Sequence, residues 1–317
     1  MCKILLIGST GKIGKYVYND LLKHKEFDVK PLLRSEPDKE FPRISFFQGD
    51  VTVIDSLCDG IEWCDVVVNC SGMVSYKARD LKRLHEINVI GTKNILEICA
   101  KFNKPFLHTS SAVVYGSTQE PIAQSETFTD FRNYLSGYAM SKLAADELIL
   151  QSPVKSIILR PSTLISSSGS TFSKLLALYR NGFTAGFKGG ASFVLPNDIS
   201  QIYGSAILYM LSQDFQKDIF NIGGNNILIR EVFDFFLENE PMRTTFISSN
   251  LLNLISMVND KFLLPVLNKS IITRENYLTG SLFTYLNSEK AKQELGYNIT
   301  PFTEAAKNVL INANHGR

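Results

Sequence analysis

The run Gly8-Ser9-Thr10-Gly11-Lys12-Ile13-Gly14 constrains this chain more than any other feature, because of what flanks it. Before it, Lys3–Ile7 is a short apolar stretch that reads as a strand. After it, Ile13–Lys23 carries helical periodicity. A strand that turns through glycines directly into a helix offers backbone N–H groups and the helix's partial positive charge to phosphates. Gly8 then permits the tight turn, Gly11 lets the backbone approach a pyrophosphate, and Gly14 lets the helix pack on the strand. Thr10, Lys12 and Ile13 complete the expected dinucleotide-binding loop.

The same alternation continues along the first half. Val29–Leu33, Ser45–Gln48, Val66–Asn69, Phe106–Ser110 and Ser156–Leu159 read as strands, Asp80–Lys101 as a long amphipathic helix and Tyr138–Leu150 as another. Strands spaced by helices imply βαβ units and a parallel sheet, so the expected fold is α/β, a doubly wound Rossmann sheet. After Pro161 the rhythm breaks into the Ser166–Ser170 stretch, a helix over Lys174–Arg180 and the glycine-rich Gly182–Gly190. Phe220–Ile222 can return to the sheet, Arg230–Tyr285 is mostly helical and apolar, and Ser288–Leu295 reads as a helix. At 317 residues a single core stops growing. Residues 1–161 plus roughly 193–225 are therefore expected to form the dinucleotide-binding domain. Residues 162–192 and 226–317 are expected to form a smaller, mostly helical C-terminal substrate lobe.

Composition excludes other classes. Lys and Arg number 33 against 31 Asp and Glu, with no basic tract, which gives no electrostatic reason to invoke nucleic acid. The five cysteines form no CxxC pair and accompany only four histidines, so neither a zinc cluster nor a disulfide framework is expected, and no metal site is assigned. Free cysteines in apolar runs point to a reducing, cytoplasmic compartment. The apolar stretch Leu251–Val258 is far short of the ~20 residues of a membrane span, and a buried helix face is expected there. The expected partners are a small-molecule substrate and a second copy of the chain, as a homodimer.

Two further features carry chemistry. At the end of the second strand an acidic residue suits a ribose 2′-hydroxyl and an arginine suits a 2′-phosphate; Arg34 stands there, with no acid before Glu36. NADP(H) is therefore favoured, with NAD(H) as the alternative. Tyr138 and Lys142 form the only Tyr-x-x-x-Lys among twelve tyrosines, and this spacing puts both on one helix face. A lysine beside the phenol favours phenolate and suits proton exchange with a carbonyl or alcohol. Ser111, after an apolar strand, can hydrogen-bond the reacting oxygen, and Asn88 can hold a proton-relay water.

These residues resemble a known family, the extended short-chain dehydrogenase/reductases. The resemblance rests on Gly8-x-x-Gly11-x-x-Gly14, Gly49-Asp50-Val51, Asn88-Val89-Ile90-Gly91-Thr92, the serine strand His108–Gly116, Tyr138-x-x-x-Lys142, Arg160-Pro161, Asp198, Phe220–Gly224 and Lys290-Ala291…Leu295-Gly296-Tyr297. It spans nearly the whole chain. It implies Ser111, Tyr138, Lys142 and Asn88 as catalytic residues. Asp50, Val51, Ser71, Gly72 and Pro161 join the glycine loop, Arg34, Tyr138 and Lys142 around the cofactor.

Departures narrow the substrate. The arginines with which the family's sugar-nucleotide epimerases hold a diphosphate are absent: Gly189-Gly190-Ala191-Ser192 and Tyr277-Leu278-Thr279-Gly280 stand at those places. Without them a diphosphate loses its strongest hydrogen bonds. Ser71-Gly72-Met73-Val74-Ser75-Tyr76 is similar to a stretch of the dihydroflavonol-reductase-like and 3β-hydroxysteroid-dehydrogenase-like members. The implied function is hydride transfer between NADP(H) and an uncharged carbonyl or secondary alcohol. The alternatives are a nucleotide-sugar epimerase or dehydratase, and a non-catalytic dinucleotide sensor, which would have no need of an intact Ser111/Tyr138/Lys142 set.

Overall fold

The computed structural model describes residues 1–36, 45–127, 136–258 and 274–315. Its strands, in chain order, are β1 Cys2–Ile7, β2 Phe27–Leu33, β3 Phe47–Gln48, β4 Val66–Asn69, β5 Phe106–Thr109, β6 Ser156–Pro161, β7 Thr163–Leu164, β8 Phe183–Ala185, β9 Gly190–Val194, β10 Lys217–Ile222, β11 Asn225–Leu228, β12 Thr245–Ile247 and β13 Phe283–Thr284. Seven of them form one parallel sheet in the order β10-β6-β5-β4-β1-β2-β3. Every residue of β4, β5 and β6 is buried, as a parallel sheet covered on both faces requires.

One face packs against helices Gly14–Leu21 and Pro196–Ser212 through Val17, Leu21, Ile199, Tyr203 and Ile207. The other packs against Cys58–Trp63 and Gly91–Lys101 through Ile61, Ile95, Ile98 and Cys99. Cys64 and Cys99 behave as the small buried hydrophobes that their sequence context implies. The chain order reverses between β1 and β4, so a crevice opens at the carboxyl ends of these strands, the place where such sheets bind ligands.

A second core gathers Phe172, Leu176, Tyr179, Phe193, Phe233, Phe236 and Phe302. Around it lie two smaller sheets, β11-β9-β13 with β7 also on β9, and β12-β8, which add strands to the helices expected of this region. It is tied to the main sheet through residues 118–124: Thr118 and Phe283 exchange backbone hydrogen bonds of 2.9 Å, and Gln124 pairs with Tyr285 and Asn287.

Four segments differ from the sequence reading. The helix expected over Asp80–Lys101 is one helical path with a π-turn at His85–Ile90, between α-helical Leu81–Leu84 and Gly91–Lys101. The helices Pro196–Ser212 and Phe302–His315 were not anticipated. In Ser249–Val258 only Leu252 and Ser256 are buried, whereas Leu251, Leu254, Met257 and Val258 are exposed, so the expected buried face is narrow. Part of the expected helical region, residues 259–273, lies outside the described residues.

Candidate active site

The crevice is built by glycines that no other residue could replace. Gly8 has φ +83°, and a Cβ there would lie 2.5 Å from the Ser71 nitrogen; a Cβ on Gly14 would lie 1.9 Å from the Gly8 carbonyl oxygen. The first requirement sets the turn and brings the ends of β1 and β4 together. The second seats the helix on the turn. Ile13 caps that helix without a side-chain acceptor, and no acid occupies its first turn, which keeps the N-terminus suited to an anion. The cradle fits a dinucleotide pyrophosphate.

The Lys12 ammonium donates to the Gly169 carbonyl at 2.6 Å, reaching across to the Ser166–Ser170 loop. Thr10 is exposed beside it. At the adenosine end, Asp50 accepts from the Thr52 N–H at 2.9 Å and the Thr52 hydroxyl at 2.8 Å. Burial raises the Asp50 carboxyl, but these hydrogen bonds and the Arg34 charge outweigh it and hold the group below its ordinary value. Arg34, exposed, thus sits near Asp50 at the end of β2. Val51 packs under Gly91, whose Cβ would meet it at 2.8 Å, and its carbonyl accepts from the Asn94 amide.

Helix Gly137–Gln151 carries Tyr138 and Lys142 at the crevice. Ser136 caps it by accepting from the Ala139 N–H at 3.2 Å. The Lys142 ammonium donates to the Thr109 carbonyl at 2.9 Å, and a Cβ on Gly72 would come 3.2 Å from that ammonium and 3.4 Å from the Asn88 amide oxygen. Ser71, Gly72, Asn88 and Lys142 are therefore brought together, although they come from three separate parts of the chain. Ser111 stands beside the Tyr138 phenol and acts to lower it. Ser111 also caps the short turn Ala112–Tyr115, which fixes its hydroxyl at the end of β5. Pro161 ends β6, buried.

Asn88 takes a different part from the one expected. Its amide donates to the Met73 carbonyl and the Ser141 hydroxyl, each at 2.9 Å, and its oxygen accepts from the Met73 N–H at 2.7 Å. Both amide hydrogens are committed, so the side chain clamps the Gly72-Met73 segment onto the Tyr138 helix. The π-turn, with Thr92 donating to the Asn88 carbonyl at 2.7 Å, places it there.

The Tyr138 phenol lies above its ordinary value in this arrangement. Burial pushes it up, reinforced by Tyr76 and opposed by Ser111. Burial pushes the Lys142 ammonium down to about 8, against the Asp146 carboxylate one turn along the helix. Lysine in the unfolded chain titrates near 10.5, so between about pH 8 and 10.5 the unfolded chain binds more protons than the native one. Lys142 then weakens the fold below pH 8, and the deficit is relieved as pH rises through that window. Lys142→Met is accordingly expected to be more stable than the parent at pH 7 by up to about 3 kcal/mol, with the difference gone by pH 10.5 in urea titrations.

Two groups that sequence reasoning passed over complete the site. Asp146, 1% exposed, pairs with Arg160 through contacts of 3.0 Å; Arg160 donates to the Tyr115 hydroxyl at 2.7 Å, and Tyr115 donates to Asn221 at 2.8 Å. The signal was present as a third polar residue on the Tyr138/Lys142 helix face, four positions beyond Lys142. Tyr76 packs edge-on against Tyr138 with ring centroids 6.0 Å apart, and Lys174 stands 5.9 Å from the Tyr76 ring. No sequence spacing links these three residues.

A sequence profile of the NAD dependent epimerase/dehydratase family matches residues 4–223. Among curated proteins, the chain is 29% identical over 179 residues to sterol-4-alpha-carboxylate 3-dehydrogenase, decarboxylating, of Candida albicans, a match covering 50% of this chain and 49% of that protein. It is 29% identical over 206 residues to human 3 beta-hydroxysteroid dehydrogenase type 7, covering 57% and 54%. The matched part of the chain thus spans about half the length of these two relatives. Among solved structures, UDP-glucuronic acid 4-epimerase from Bacillus cereus, in complex with UDP-glucuronic acid and NAD, superposes with TM-score 0.75 at 19% identity, over 99% of this chain and 100% of that one. With the glycine cradle, the Asn88 turn and the Tyr138/Lys142 helix at the carboxyl edge of the sheet, the matched profile shows that the chain belongs to the NAD dependent epimerase/dehydratase family.

Proposed function

We propose that the protein is an oxidoreductase transferring a hydride between NADP(H) and a carbonyl or secondary alcohol of a small organic substrate. The observation that carries this reading is the convergence of Ser111, Tyr138 and Lys142 at the carboxyl edge of the sheet, beside the glycine cradle. A bound nicotinamide dinucleotide supplies or accepts the hydride. The chain's own groups handle the proton and the geometry. The Tyr138 hydroxyl donates to the forming alkoxide or accepts from the alcohol, Ser111 orients the same oxygen, and Lys142 contributes the buried positive charge that makes phenolate accessible. Glycines 8, 11 and 14, Thr10, Lys12 and Ile13 would line the pyrophosphate, with Asp50 and Val51 toward the adenine and Ser71, Gly72 and Pro161 toward the nicotinamide. The sterol-carboxylate and hydroxysteroid dehydrogenases that the chain is similar to support a secondary alcohol or ketone as the reacting group.

The epimerase alternative needs diphosphate-binding cations. Of the three residues that could offer one, Arg180 is held by Glu240 through hydrogen bonds from Nε at 2.9 Å and from Nη2, Lys188 is exposed, and the Arg274 side chain lies outside the described residues. Net conversion of cofactor separates the readings: a reductase consumes NADPH stoichiometrically, as read at 340 nm, whereas an epimerase recycles it within each turnover. Isomerised UDP-sugar with no net change in absorbance would replace this proposal.

Arg34 is assigned to the 2′-phosphate. Arg34→Ala is expected to weaken NADPH binding by about 1.5–3 kcal/mol, the cost of a charged hydrogen bond, and to leave NADH binding unchanged. Equal losses for both cofactors in calorimetry would remove Arg34 from this role. The five unpaired cysteines favour the cytoplasm as the working compartment, and a homodimer is the proposed assembly. Among the described residues no helix is long and apolar enough to cross a membrane.

A further inference from the structure

The reacting oxygen of any substrate must sit at the Tyr138 phenol, so the groups around that phenol decide what else the substrate carries. Tyr76, half-exposed, stands edge-on to Tyr138 at 6.0 Å, and beyond it the Lys174 ammonium lies 5.9 Å from the Tyr76 ring. The two spacings place Lys174 within about 12 Å of the Tyr138 ring. Lys174 is exposed and pairs with no carboxylate among the described residues. Its contact with Tyr76 is at the outer limit of a cation–π interaction and is readily given up to an anion. Among the described residues, the first turn of helix Thr171–Arg180 carries no acid, and Asp80, in the Tyr76 segment, accepts from the Ser75 hydroxyl. Lys12 donates to the Gly169 carbonyl, one residue before the Ser170 cap of the Lys174 helix, and among the described residues pairs with no carboxylate.

We propose that Lys174 is the specificity-determining residue that accepts a carboxylate carried by the substrate, within the width of a small ring or short chain of the reacting carbon. The inference rests on Tyr138 as the acid/base and departs from the uncharged substrate that the sequence implies. A lone lysine is a point charge suited to a monoanion, whereas a diphosphate calls for the bidentate arginines that this site lacks.

The test uses full-length protein saturated with NADPH and four probes: cyclohexanecarboxylate, cyclohexanecarboxamide, UDP and uridine. Calorimetry should show the carboxylate binding at least tenfold more tightly than the carboxamide. Lys174→Gln, an exposed substitution that leaves the fold intact, should weaken the carboxylate about tenfold while leaving the carboxamide and NADPH unchanged. The inference is overturned if the carboxylate does not bind, if the carboxamide binds as tightly, or if Lys174→Gln leaves carboxylate binding intact. UDP binding that exceeds both uridine and the carboxylate, and is lost in Lys174→Gln, also overturns it by making Lys174 a phosphate ligand. Those outcomes, with NADPH bound, count against the carboxylate alone. Failure of the wild-type protein to bind NADPH takes down the hydride-transfer reading, and this inference with it.

Discussion

Tyr138→Phe is expected to abolish turnover while leaving NADPH affinity within about twofold of the parent. The substitution removes only the transferable proton, because the ring stays packed against Tyr76 in the same buried slot. General acid/base catalysis contributes ~10²–10⁴-fold, and the loss in kcat should be at least that large. The phenol is raised by burial, and Ser111 is the neighbour that opposes this, so Ser111→Ala should also lower kcat, by less. Steady-state rates at 340 nm with a competent substrate check both. Retained activity in Tyr138→Phe would place the proton donor elsewhere.

Asp146→Asn is expected to destabilise the fold by about 3–5 kcal/mol, the cost of leaving a buried cation without its partner. Arg160 is 6% exposed and Asp146 1%, so little solvent is available to replace the lost charge. The damage should spread along the chain of contacts from Arg160 through Tyr115 to Asn221, whose amide holds the Gln124 and Asn287 carbonyls at 3.0 and 3.2 Å. Those contacts dock residues 118–124 on the segment that follows β13. The double variant Asp146→Asn/Arg160→Met removes both charges and should recover much of the stability, since an apolar replacement of a whole buried pair is often neutral. Urea unfolding of the two variants measures the difference. Equal stability of Asp146→Asn and the parent would show that the pair is solvated and does not hold these elements together.

The parallel sheet, the glycine cradle and the Tyr138/Lys142 pair were legible in the sequence because each is a local pattern. A strand period of two, a helix spacing of four, and glycines where a turn meets a helix all leave marks within a dozen residues. The register of Gly8 against Ser71 could be anticipated only as a resemblance. Its physical cause, a Cβ that would collide with the backbone of the neighbouring strand, needs both strands in place.

Side-chain direction was the part the sequence could not carry. Asn88 looked like a water anchor, but the π-turn rotates its amide onto Met73 and Ser141. Lys12 stands in the glycine loop, and its reach to the carbonyl of Gly169, 157 positions away, follows from no local pattern. Lys142 stands one turn from Tyr138 as the spacing implies, but that its ammonium donates to the Thr109 carbonyl and that burial raises the phenol depend on neighbours far along the chain. The sequence by itself determined which elements form and which residue types stand at their ends, since backbone propensity and periodicity act over neighbouring residues. Only the tertiary structure decided which polar groups meet and at what cost in desolvation, because those terms depend on distances between residues far apart in the chain.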